Sequence, residues 1–152
     1  MGPPRMGGEE FMSREEGTAF VFNKTKQTFL AYRVKIADSI LSRLVGLLGK
    51  RRLEPDSGLW IFPSRGIHTL GMFFDIDVVF LNRDLKVVAL RELVHPFSVT
   101  GLYLNAESVL ELPAHTVFKS RTEVGDELAI STFDPALNLE IELPAEPSKV
   151  ER

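Results

Sequence analysis

Along most of this chain apolar and polar residues alternate with a period of two. Leu30, Tyr32, Val34 and Ile36 are interleaved with Ala31, Arg33 and Lys35, the spacing of a strand with one buried face. Residues 76–81 and 86–90 are apolar and β-branched. Asn82, Arg83 and Asp84 between them supply turn chemistry, so the two runs predict a hairpin. Residues 108–112 predict a further strand, stopped by Pro113, and Gly125 with Asp126 predicts a tight turn into a strand over 127–133. Leu137, Leu139, Ile141 and Leu143 predict a last strand.

Helical spacing dominates in one place. Ile40, Leu41, Leu44, Val45, Leu47 and Leu48 recur at i, i+3, i+4, with Asp38 able to cap the start and Gly49 the end. That predicts one principal helix near residues 38–49; a shorter helical turn fits 114–119. No strand–helix–strand alternation is visible. The pattern therefore predicts a mainly β (α+β) fold, a β-sandwich or barrel-like domain, over residues 18–143. Residues 1–17, rich in Gly, Pro and Glu, read as a disordered leader and 144–152 as a flexible tail.

Composition narrows the function classes. With 152 residues, 44% of them hydrophobic, the chain suits one ordinary core. It has no cysteine, which removes disulfides, thiolate nucleophiles and cysteine metal sites. A net charge of −3 points away from nucleic acid as a partner. No apolar run approaches the roughly 18 residues that cross a bilayer, so no membrane partner is expected. No targeting segment is visible, and the expected location is cytoplasmic. Asn23, Lys24 and Thr25 form a glycosylation sequon, which has no meaning without export.

Four pieces in order carry a family resemblance. They are a strand followed by Asp38 and a helix ending in Gly46-Leu-Leu-Gly49; Ile67-His68-Thr69 with Met72 and then residues 76–81; Val109-Leu-Glu-Leu-Pro113; and Gly125-Asp126 opening a strand. Over about residues 33–130 the chain resembles the bacterial and archaeal family catalogued as domain of unknown function 192. The resemblance implies a mostly β sandwich or barrel with one helix and brings no established activity. A cysteine frequent in that family before the Ile-His-Thr segment is Ser64 here, and the basic residue after the methionine is Phe73. The proline before Ile-Asp is Asp75, and the glycine after Leu-Pro-Ala is His115.

Candidate chemistry centres on the segment between residues 61 and 74. His68 and Thr69 sit in a loop between strands, where functional groups concentrate, and His68 could equally pin that loop by hydrogen bonding. Asp77, flanked by Ile76 and Val78, is read first as an acceptor of backbone N–H groups from a neighbouring segment, with ligand duty as the alternative. Glu111 lies between Leu110 and Leu112 and is expected to face solvent. Trp60, Phe62, Phe73 and Phe74 flank the loop as core, as the lining of an apolar pocket or as a partner surface. The residues expected to bind a ligand are His68, Thr69, Met72, Asp77 and Glu111. No metal motif, nucleophile elbow or phosphate loop occurs, so no cofactor, metal site or catalytic residue is assigned. The expected function is non-enzymatic binding of an unknown small molecule or protein. The alternative is a hydrolase-like enzyme using His68 and Asp77 as an acid–base pair.

Overall fold

The computed structural model describes residues 18–37 and 52–132. The predicted helix over 38–49, the strand over 137–143, the leader and the tail lie outside the described residues. The described residues form seven strands: β1 (Thr18–Asn23), β2 (Thr28–Ala37), β3 (Ser57–Ile61), β4 (Ile76–Leu81), β5 (Val87–Val94), β6 (Ser108–Pro113) and β7 (Leu128–Thr132). A short helix, α1 (Thr116–Ser120), follows β6 where the sequence indicated a helical turn. The fold is mainly β, as expected.

All seven strands join one sheet in the order β5-β4-β6-β3-β2-β1-β7. One interior cluster takes side chains from strands far apart in that order, among them Val21, Leu30, Val34, Val79, Val87, Leu110 and Leu128, with Val117 of α1. A flat sheet could not do this, so the sheet is curled around the cluster. The two end strands meet at one corner. Lys86 and Glu127 form an antiparallel bridge, the Leu128 N–H donates to the Leu85 carbonyl at 2.9 Å, and the Val87 N–H donates to the Asp126 carbonyl at 2.9 Å.

A buried polar knot secures that corner. Asn23 Nδ2 donates to Thr122 Oγ1 at 3.1 Å and to Asp126 Oδ2 at 2.9 Å, and Lys26 Nζ reaches Asp126 Oδ1 at 3.2 Å. The asparagine of the sequon is therefore fully buried and already bonded.

Two features depart from simple antiparallel alternation. All neighbours are antiparallel except β2 and β3, which run parallel, Arg33 opposite Ser57 through Ala37 opposite Ile61. Parallel neighbours need a crossover of a dozen or more residues, and residues 38–56 supply that chain. The period-two pattern gives no sign of this one parallel pair, and the sheet is otherwise antiparallel. The alternation in β2 is also imperfect. Its register with β1 slips between Ala19 and Val21 and again between Val21 and Phe22. Bulges shift the side-chain parity, so Ala31 is buried while Tyr32 turns outward and is 55% exposed.

Candidate functional site

β4 and β6 form the floor of the site, and both are buried nearly throughout. Residues directly opposite across an antiparallel pair share a face. Asp77 opposite Leu112 and Val79 opposite Leu110 thus face the interior; Val78 opposite Glu111 and Phe80 opposite Val109 face outward. The outward face is not solvated. A second cluster of Leu59, Ile61, Met72, Ile76, Val78, Phe80 and Val109 covers it. It is roofed by two loops, residues 62–75 and 95–106.

These loops are zipped together. The Thr69 N–H donates to the Ser98 carbonyl at 2.8 Å, the Thr100 N–H to the Ile67 carbonyl at 2.9 Å, and the Tyr103 N–H to the Arg65 carbonyl at 2.9 Å. His68 bridges Val99 between them. Thr69 is the central pin: its buried hydroxyl donates to the His95 carbonyl at 2.7 Å and accepts the Ser98 N–H at 2.8 Å. Gly66 permits the closest approach, because a Cβ there would meet the Gly101 carbonyl oxygen at 3.0 Å. Tyr103 anchors the flap from below, its ring 4.2 Å from that of Phe80 between centroids. Replacing Thr69 by Val should cost about 1–3 kcal/mol, since a buried N–H and carbonyl lose their partner. Chemical denaturation and faster amide exchange confined to both loops would register it. Unchanged exchange in the loops would contradict the pinning role.

The five residues marked in the sequence separate into distinct environments. His68 is exposed on the flap, while Thr69 and Met72 are buried beneath it. Asp77 lies under the sheet on the opposite face from Glu111. Its Oδ1 accepts the Leu93 N–H at 3.0 Å and its Oδ2 the Val117 N–H at 2.9 Å. Both have a clear origin. β5 shifts register against β4 between Ile76 and Val78, which takes the Leu93 N–H out of the ladder. Val117 is in the first turn of α1, whose N-cap residue His115 makes no side-chain cap bond. Asp77 thus caps the helix from a neighbouring strand. With both oxygens committed to backbone, it is not placed to serve His68 as an acid–base partner.

Glu111 departs from expectation. It is 5% exposed rather than solvated, because the flap buries the second face of β6. No side-chain partner is present among the described residues, and burial pushes its carboxyl up to about 8. Of the flanking aromatics, Phe74 packs into the outer cluster and Trp60 against the interior one, whereas Phe73 is 65% exposed.

The aromatics beside His68 point to a partner surface in the sequence only through Phe73; the rest of the flap's outer surface is not marked there. Leu70, Phe73, Phe97, Val99, Leu102 and Leu104 all project to solvent, Leu102 and Leu104 each at 77% exposure. The signal was the apolar content of segments too irregular in period to be strands. Among the described residues no group of three or more His, Asp or Glu could hold a metal ion, and no helix is long and apolar enough to cross a membrane.

Together these features define a small curled-sheet β domain carrying a zipped two-loop flap. A family profile described as "Uncharacterized ACR", domain of unknown function 192, matches residues 20–130, and the chain belongs to that family. A UPF0127 protein of Thermococcus sibiricus is 32% identical over 116 residues, 71% of this chain and 72% of that protein. Two crystal structures share the fold. One is a Sinorhizobium meliloti protein described as a proposed transcription regulator, with TM-score 0.65 and 21% identity over 76% of this chain and 93% of that one. The other is a protein of unknown function from Novosphingobium aromaticivorans, with TM-score 0.63 and 15% identity over 74% and 83%. The family is one of unknown function.

Proposed function

We propose that this domain is a non-enzymatic interaction module whose contact surface is the outer side of the flap, and that its partner is a protein presenting apolar side chains. The observation that carries this reading is the concentration of six exposed large apolar residues on two loops that are themselves rigidly hydrogen-bonded. Scattered apolar side chains on a surface are ordinary; six on two loops held together by backbone hydrogen bonds support a contact site. His68 supplies a polar group within this surface, and the His95 imidazole, 2.9 Å from Asp75, lies at its border. Thr69 and Met72 hold the flap in shape from beneath. Glu111 lies on the sheet face beneath the flap, whereas Asp77 on the opposite face caps α1. A cytoplasmic location is part of the same proposal and is checked by fractionating cells that produce a tagged protein.

The test is a double substitution, Leu102→Ser with Leu104→Ser, in the full chain. Binding of anilinonaphthalene sulfonate should fall severalfold while far-UV circular dichroism is unchanged. Sedimentation at rising concentration, run alongside, identifies a second copy as the partner if association disappears in the variant. Equal dye binding by variant and parent would overturn the reading.

A further inference from the structure

We propose that the outward face of β1 and β2, remote in sequence from the flap, is a stacking platform for single-stranded nucleic acid. Residues 18–37 contain Lys24, Lys26, Arg33 and Lys35 and no Asp or Glu, so the chain's net negative charge is carried elsewhere. Four aromatic residues accompany these cations. Phe22 and Phe29 meet edge to face with centroids 4.9 Å apart, Phe20 lies 6.3 Å from Phe29, and Phe29 and Tyr32 stack at 4.6 Å with 23° between planes. Tyr32, more than half exposed, is the solvent end of this stack.

The register explains why the rings share a face. Ala19 and Val21 are buried, which turns Phe20 and Phe22 outward; Lys35 stands opposite Thr18 on the same face. The adjoining β7 presents small residues there, Ala129 opposite Phe22 and Ser131 opposite Phe20, so among the described residues β7 sets no bulky side chain beside these two rings. Lys24 and Lys26 are engaged by Glu127, Glu123 and Asp126 at the hairpin end. Arg33 and Lys35 are exposed and have no ion-pair partner among the described residues. Asp56, whose carbonyl accepts the N–H groups of Tyr32 and Arg33 at 2.8 and 3.0 Å, marks the border.

Charge complementarity selects the occupant. Unpaired bases offer flat π faces to the rings, and the phosphates between them meet Arg33 and Lys35. A duplex keeps its bases stacked internally and cannot use the rings, which separates the two forms of nucleic acid.

The experiment is fluorescence anisotropy of a labelled oligothymidylate with the full chain at low salt. Saturable binding is expected, weakened about tenfold by Tyr32→Ala and restored by Tyr32→Phe, in line with the loss of one base–aromatic stack. Replacing both Arg33 and Lys35 by Ala should reduce the slope of log affinity against log salt by about 1–2. Absence of binding, equal affinity for a duplex of the same length, or Tyr32→Ala binding as tightly as the parent would each overturn the proposal.

Discussion

Asp77→Ala is expected to destabilise the domain by about 3–5 kcal/mol, one of the two largest effects any single change here should produce. Hydrogen bonds to a charged group contribute about 1.5–3 kcal/mol each, and Asp77 makes two, to Leu93 and Val117. Removing the carboxylate leaves both N–H groups buried without acceptors and takes the cap from α1. Asp77→Asn keeps one oxygen and should cost roughly half as much, because its amide nitrogen cannot accept. The check is urea denaturation of both variants, with amide exchange at Val117 and Leu93. A cost below about 1 kcal/mol for the alanine variant would show that the two N–H groups find water instead.

The second large effect depends on pH. Burial pushes the Glu111 carboxyl up to about 8 in the folded protein, from an ordinary value of 4.5. The native state therefore holds this proton more tightly than the unfolded chain. Stability is greatest below about pH 4.5 as far as this residue is concerned, and declines as pH rises through about 8. The loss across that window is on the order of 3–5 kcal/mol. Glu111→Gln has no proton to release, so the difference in unfolding free energy between parent and variant should grow steadily over the same range. Parallel stability curves from pH 5 to about 9 would show that Glu111 ionises without penalty.

The two carboxylates also show what the sequence could and could not reveal. Asp77 was legible: a charge amid Ile76, Val78 and Val79 has to find partners, and backbone N–H groups are the usual ones. Glu111 was not. Alternation assigns a residue between two leucines to solvent only when one face of the strand is open, and here the flap closes the second face. The β4–β5 hairpin was legible because β-branched runs flank Asn82 and Asp84, whose neighbourhood makes the expected turn bonds. β6 was legible from its run ending at Pro113. By contrast β1 presents apolar residues on both faces and shows no contrast to detect. β3 contains Gly58, which reads as a loop residue. Its lack of a side chain is a packing requirement, since a Cβ there would come within 2.7 Å of the Glu111 carbonyl oxygen. The parallel pairing of β2 with β3 left no local signal, because it depends on a partner beyond the intervening crossover.

The meeting of the first and last described strands bears on how the chain acquires its shape. β1 pairs with β7 from Ala19 opposite Thr132 to Asn23 opposite Leu128, so the seam joins segments at opposite ends of the described sequence. Pairings between distant segments are formed late, because closing a long loop costs entropy before any contact offsets it. On a ribosome the β1–β2 and β4–β5 hairpins can assemble as they emerge, whereas the seam must wait for β7. Until then β1 has an unpaired edge, and synthesis rate sets how long that edge is exposed to neighbouring nascent chains.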